Sequence, residues 1–318
     1  MPSHKEAVIL LNMGGPNNLE EVEMFLTNMF NDKNILTMKS NLLRKFVGGM
    51  ITFTRTEGSQ EIYRELGGKS PIVGHTKGLV DKLQTRFGPE YIVDFAMRYT
   101  PPFASEVIAR LSKENIDKIY LIPMYPQYST TTTKSSLEDF EEAYHKAGGS
   151  ALLVEIKHYF ENESYNKAII QSIKESVANA KYRDFDLIFS AHGLPKKIVD
   201  AGDVYEKHVN RHVEILKDML KREGMDFHET HLAYQSKVGP MEWLKPSLEE
   251  KLKTVRNRGV VIFPIAFTID NSETDYELEI EYREIAQEFG FKEYRVARCP
   301  NDSDSFVDAI VEIQGKMK

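Results

Sequence analysis

The run Asp186-Leu187-Ile188-Phe189-Ser190-Ala191-His192-Gly193-Leu194-Pro195 limits the fold more than any other stretch of this chain. Leu187, Ile188 and Phe189 form a short apolar run, the pattern of a strand buried on both faces, and such strands belong to parallel sheets covered by helices. Small residues and His192 follow, and Gly193 and Pro195 stop the strand. In an open parallel α/β sheet, ligands bind beyond the carboxyl ends of strands. His192 is therefore placed where such a fold does its chemistry. The alternative is a hydrogen-bonded structural histidine in a tight turn.

A second apolar run, residues 259–267, leads into a helical pattern that begins near Glu273. Asn271 or Ser272 is suited to cap that helix. Glu273, Glu277 and Glu281 recur every four residues and so share one helical face. Like charges at this spacing weaken an isolated helix by a few tenths of a kcal/mol per pair, on the order of. A cation or a proton path would offset that cost; a solvated acidic face is the plainer reading.

The same alternation runs through the chain. Strands are expected at residues 7–12, 91–97, 118–124, 152–156, 186–190, 230–234, 259–265 and 294–296. Helical patterns occupy 19–30, 76–87, 105–113, 137–146, 163–178, 204–222, 247–255 and 306–317, with residues 130–133 read as a polar run. The halves echo each other: Leu11-Asn12-Met13-Gly14-Gly15-Pro16 parallels Phe189 to Pro195, and Leu121 to Tyr125 parallels Ile262 to Phe267. Gly148-Gly149 breaks a helix between them. Expected domains are 1–148 and 149–303, with a terminal helix at 304–318 packing back on the first half. The glycines after the first strand lack the spacing of a nucleotide fingerprint. Their expected use is to let a flat ligand approach the backbone closely.

Composition excludes several classes. A net charge of −7 argues against a nucleic-acid partner, which needs a basic field. No run reaches the roughly 18 apolar residues of a membrane span. Met1-Pro2-Ser3-His4-Lys5-Glu6 passes straight into the first strand without a signal-peptide pattern, so a cytoplasmic location is expected. The single cysteine, Cys299, cannot supply the four thiolates of an iron–sulfur cluster, and none is expected. His208 and His212 lie four apart on a helix, a spacing able to hold a metal, but no hydrolytic glutamate stands between them.

Phe189 to Pro195, together with Pro264-Ile265-Ala266-Phe267, Glu273-Thr274 and Tyr276-Glu277-Leu278, resembles the ferrochelatase family, which inserts ferrous iron into a porphyrin. Further matches are Leu11 to Pro16, Gly67-Gly68-Lys69-Ser70-Pro71-Ile72, Met97-Arg98-Tyr99, Pro123 to Ser129, and Tyr234-Gln235-Ser236-Lys237-Val238-Gly239-Pro240. They keep the family's order along nearly the whole chain. The resemblance implies an α/β fold of two similar Rossmann-like domains, each a parallel sheet flanked by helices, facing across a porphyrin cleft. It implies insertion of Fe2+ into protoporphyrin IX with release of two protons, in haem biosynthesis. Fe2+ is then a substrate, and no permanently bound cofactor is expected. Coproporphyrin ferrochelatase or cobalt chelatase is the alternative enzyme, and a tetrapyrrole or metal carrier the non-enzymatic one.

By this resemblance His192 is the proton acceptor and a metal ligand, with Glu273 its partner in both roles. Glu277 and Glu281 extend an acidic path. Met13, Ser70, Arg98, Tyr125 and Phe267 are expected to contact or orient the porphyrin. An arginine at a strand end suits a ligand carboxylate, although a structural ion pair is the competing use of Arg98. Met13 favours protoporphyrin, since coproporphyrin-specific relatives often carry tyrosine there. Many family members have histidine where this chain has Asn271, and asparagine cannot exchange a proton near neutrality. The helically spaced Leu43, Phe46, Val47 and Met50 lie within a lip region of about residues 31–55. The lip is expected over the porphyrin mouth; a core helix and an interfacial membrane helix are the alternatives. Oligomeric state is not legible.

Overall fold

A computed structural model describes residues 5–236, 239, 241–255 and 259–318. The leader reading of residues 1–4 and the motif positions Lys237, Val238 and Pro240 lie outside the described residues. The chain forms two compact units, Met1–His158 with Ile310–Lys318, and Tyr159–Ala309. No described helix is long and apolar enough to cross a membrane.

The first unit runs β1 (Lys5–Asn12), α1 (Glu21–Asn31), α2 (Asn41–Glu65), α3 (Ile72–Phe87), β2 (Tyr91–Met97), α4 (Ala104–Leu111), β3 (Ile116–Pro123), α5 (Ser135–Lys146) and β4 (Leu152–Glu155). Its sheet is parallel, in the order β2-β1-β3-β4. Along β1, Ala7, Ile9 and Leu11 pack against α4 and α5, while Val8 and Leu10 are equally buried on the other face. Burial on both faces explains why the strand reads as a continuous apolar run. Each such Leu or Ile contributes about 1.5–3 kcal/mol of transfer free energy.

The second unit repeats the plan: α6 (Glu163–Val177), β5 (Asp186–His192), α7 (Lys196–Asp200), α8 (Tyr205–Arg222), β6 (Thr230–Gln235), α9 (Leu248–Thr254), β7 (Gly259–Phe263), a π-helix (Glu273–Glu281), α10 (Tyr282–Glu288) and β8 (Glu293–Val296). The closing helix α11 (Asp304–Lys316) belongs to the first unit from Ile310 onward. The second sheet is also parallel, in the order β6-β5-β7-β8. In each sheet the chain moves outward to one side of the first strand, then to the other. The reversal opens a crevice at the carboxyl ends of the first and third strands, the usual ligand position in doubly wound sheets. For the second unit these are the ends of β5 and β7.

Several elements differ from the pattern read in the sequence. β5 continues past Ser190 to His192, which pairs in register with Gln235. The polar run 130–133 forms a short π-helix, Thr130–Lys134, that feeds directly into α5. The helix after Asn271 is a π-helix, with bonds from residue i+5 back to i, as from Tyr282 N–H to Glu277 O. Hydrophobic periodicity does not separate this from an α-helix over so short a span.

The alternative of a core helix at residues 43–50 is overturned. Leu42, Phe46, Met50 and Phe53 line an outward stripe of α2, with Phe46 65% and Phe53 87% exposed. Beneath this stripe the inner face is built from small residues, Gly48 and Thr52, with Tyr63 buried toward the end of the helix. A Cβ at Gly48 would lie 2.9 Å from the Phe30 carbonyl oxygen of α1. The spacing was helical, but the apolar face is the exposed one.

Candidate active site

His192 is the last residue of β5, and Glu273 the first of the π-helix that follows β7. The β5/β7 switch point brings them together, with His192 Nδ1 2.7 Å from Glu273 Oε2. The imidazole side chain remains 41% exposed, so Nε2 is the ring nitrogen left for a ligand. Phe267 meets the imidazole edge to face, with ring centroids 6.4 Å apart. Tyr205 OH donates to the His192 carbonyl at 3.0 Å and pins the strand end. Gly193 N–H donates to the Gln235 carbonyl, and a Cβ at Gly193 would stand 2.6 Å from that oxygen. Close backbone approach is why glycine follows the histidine. Trp243 packs on the same spot, its Cε3 3.3 Å from that Cβ position.

The acidic side is more connected than the sequence indicates. Ser236 Oγ lies 2.8 Å from Glu273 Oε2 and 2.5 Å from Glu277 Oε2, and Ser236 N–H donates to Glu277 Oε1 at 2.7 Å. Ser190 Oγ donates to Gln235 Oε1, turning the Gln235 amide nitrogen toward Glu277. Ser236 belongs to the run Tyr234-Gln235-Ser236, but nothing in its spacing joins it to Glu273. It arrives through the β5–β6 register, which sets Gln235 opposite His192. Glu281 is exposed at the end of the π-helix.

Burial would lower the His192 pKa, but the charge and hydrogen bond of Glu273 outweigh it and raise the imidazole above its ordinary value. Burial would raise Glu273, but His192 and then Ser236 hold it below the ordinary carboxylate value. Glu277 is pushed up to about 7, first by burial and then by the charge of Glu273.

Asn271 caps this helix; Ser272 does not. Asn271 Oδ1 accepts from Glu273 N–H at 2.8 Å, and Asn271 Nδ2 donates to the Ile269 carbonyl. The Ser272 side chain makes no capping bond. The preceding Asp270 is buried and accepts from Cys299 N–H and Asn301 Nδ2. Arg298 ties Asp270 to Asp275 from the other side.

Met13, Ser70, Arg98 and Tyr125 lie in the first unit. Met13 is half-buried against the cluster of Val22, Phe25 and Tyr99. Ser70 and Tyr125 are buried, Tyr125 OH bonding Ser136 Oγ at 3.2 Å. Arg98 pairs with Asp32 at 3.3 Å and Asp139 at 3.1 Å, and its Nε donates to Ser135 Oγ. A ligand carboxylate would have to share or displace two carboxylates there. The chain's own packing already requires glycine at both positions after β1. A Cβ at Gly14 would meet Thr100 Oγ1 at 2.4 Å, and one at Gly15 would meet Ser70 at 2.6 Å.

The paired histidines of α8 do not form a metal site. His212 is fully buried, its Nε2 2.8 Å from Asn166 Oδ1, and burial lowers its pKa to about 3. His208 packs against Phe160 with the rings tilted, their centroids 4.7 Å apart. Among the described residues no group of three or more His, Cys, Asp or Glu side chains could hold a metal ion.

Two doubly wound parallel units, with a strand-end histidine bonded to a helix carboxylate, define a protein of the chelatase type. Solved structures with this fold include SirB from Bacillus subtilis with Fe3+, at TM-score 0.57 and 11% identity, covering 98% of this chain and 95% of that one. CbiX, the terminal enzyme of sirohaem biosynthesis in denitrifying bacteria, matches at TM-score 0.51 and 10% identity, covering 98% and 99%. The ferrochelatase family model matches residues 5–317. The ferrochelatase of Sulfurimonas denitrificans is 70% identical over 99% of both chains, and that of Nitratiruptor sp. 52% identical over 98% of this chain and all of the other. The chain belongs to the ferrochelatase family, the metal-inserting lyases of haem biosynthesis.

Proposed function

We propose that this chain inserts Fe2+ into protoporphyrin IX and that His192 accepts the pyrrole protons. The observation that carries the assignment is the His192–Glu273 bond at 2.7 Å, which engages Nδ1 of a partly exposed imidazole and leaves Nε2 as its other ring nitrogen. With Nδ1 held by Glu273, Nε2 is oriented to take a proton from a pyrrole N–H. The Glu273 carboxylate stabilises the imidazolium that forms, as its effect on the His192 pKa indicates. Each pyrrole proton must leave before a nitrogen can bind iron. The 2.7 Å bond between His192 and Glu273 suits the proton role, and among the described residues no group of three or more His, Cys, Asp or Glu side chains forms a metal-holding cluster.

Phe267 offers an apolar edge beside the imidazole. Of the four first-unit residues, Met13 suits ring contact, since it is partly exposed and apolar. Ser70, Arg98 and Tyr125 have partners within their own unit and support its loops. The exposed stripe of α2 supports the lip reading, in which Phe46 and Met50 cover a flat apolar substrate. The same stripe, beside Lys45 and Arg55, suits interfacial membrane contact, which co-sedimentation with anionic vesicles tests.

The test is anaerobic incubation with Fe2+ and either protoporphyrin IX or coproporphyrin III, read as loss of the free-base spectrum. Faster turnover of protoporphyrin is expected. Faster turnover of coproporphyrin would reassign the substrate, and no metallation of either would overturn the enzymatic reading.

A further inference from the structure

We infer that Ser236 is a positioning residue of the metal-insertion reaction, its hydroxyl linking Glu273 to Glu277 as a proton leaves the site. The inference rests on the assignment of His192 as proton acceptor. Ser236 Oγ is within bonding distance of a carboxylate oxygen on each side, 2.8 Å from Glu273 and 2.5 Å from Glu277. A hydroxyl carries one hydrogen. With both carboxylates ionised, one contact would set an oxygen lone pair against an anionic oxygen. A single carboxyl proton in the cluster completes both bonds: one carboxyl donates to Oγ while Oγ–H donates to the other.

The backbone supplies a second observation. Ser236 has φ 63°, in the left-handed region. A non-glycine residue is strained there, and such strain collects at functional sites. Glycine would adopt this conformation freely and would keep the N–H bond to Glu277, but it would lack the hydroxyl. Serine therefore stands at this position against backbone preference.

Asn271 leaves the passage to Ser236. Both ends of its amide are engaged in capping, with the Glu273 N–H and the Ile269 carbonyl. Transfer is balanced. The His192 imidazolium gives its Nδ1 proton to Glu273 Oε2 and becomes neutral, and the carboxyl proton then passes to Ser236 Oγ as the original Oγ–H proton passes to Glu277 Oε2. Glu273 returns to carboxylate, Ser236 is unchanged, and Glu277 carries the proton. Burial and the charge of the re-ionised Glu273 push Glu277 up to about 7, so Glu277 holds a proton near neutrality. The titratable groups around Glu277 are Glu273, His192 and the phenols of Tyr282 and Tyr294.

The test compares the full-length chain with Ser236→Ala, Ser236→Gly and His192→Ala in anaerobic Fe2+ insertion over roughly pH 6 to 9, with thermal melting of each. Ser236→Gly and Ser236→Ala are both expected to lose about tenfold or more in kcat at unchanged porphyrin KM. The limb of the kcat–pH profile near neutrality should move. Ser236→Gly should melt no lower than the parent. A purely structural clasp predicts instead that glycine, freed of strain, restores what alanine loses. Normal turnover and an unmoved profile in Ser236→Gly, beside an inactive His192→Ala, would overturn the relay alone. An active His192→Ala would overturn the proton-acceptor reading and the relay with it.

Discussion

His192 Nδ1 lies 2.7 Å from Glu273 Oε2 although 81 residues separate the two in sequence. The bond joins the carboxyl end of β5 to the helix entered from β7, the two neighbouring strands at the switch point. Neither local stretch specifies this pairing. It requires β5 and β7 to be parallel neighbours, with Asp186 opposite Val260 and Phe189 opposite Phe263.

Replacing His192 by alanine should abolish metal insertion with little change in melting temperature. The side chain is partly exposed and bonds one carboxylate, so no cavity opens in the core. Loss of a general base costs about 10²–10⁴ in rate. Anaerobic turnover and a thermal melt on the same sample check both halves, and turnover within a few-fold of the parent would remove His192 from the mechanism.

Glu273→Gln keeps the shape of the site and removes its charge. Insertion should fall by about 10² or more, with porphyrin KM little changed. The stability effect carries a sign. Raised above its ordinary 6.5, His192 stabilises the fold fully below that value and loses the contribution as pH rises through its folded pKa. Glu273, lowered from 4.5, contributes fully above that value and loses the contribution as pH falls through its folded pKa. The stability lost in Glu273→Gln should therefore be largest between pH 4.5 and 6.5, as denaturant titrations at several pH values can measure. Asn271→Ala removes a cap and should cost about 1 kcal/mol, whereas Asn271→His should leave turnover broadly unchanged.

Phe46→Asp and Met50→Asp should shift the melting temperature by no more than about 2 °C, because both side chains already face solvent. Porphyrin KM should rise several-fold if α2 covers the substrate. Unchanged KM in both variants would remove the lip from porphyrin binding.

His212 should make the fold acid-sensitive. Burial lowers its pKa from 6.5 to about 3, so between these values the unfolded chain binds a proton that the native state excludes. This one group should remove stability at about 1.4 kcal/mol per pH unit as pH falls through that window. His212→Gln should flatten the slope, read from urea midpoints between pH 4 and 7. An unchanged slope would mean that His212 is protonated in the native state.

Much of the fold was legible because parallel strands buried on both faces write themselves as apolar runs. β2 was read to its last residue, and β5, β6 and β7 to within two at their carboxyl ends. His192 was legible for the same reason, since the buried run ends against Gly193 and Pro195, although β5 continues through Ser190 and Ala191 to the histidine itself. The acidic spacing of Glu273 and Glu277 survives in a π-helix because residues four apart stay on neighbouring turns. Periodicity also placed a helix over Leu43 to Met50, but a stripe has the same spacing whether it faces the core or water.

By itself, then, the sequence determined which residues form strands, where those strands end, and that a histidine and a row of glutamates stand at such ends. Tertiary structure alone decided that Ser236 reaches both carboxylates, that Arg98 is held by Asp32 and Asp139, and that His212 is a neutral core residue. The reason is physical. Strand and helix signals are local and repeat with the backbone period, whereas hydrogen bonds, ion pairs and burial depend on strand register and packing between residues tens of positions apart.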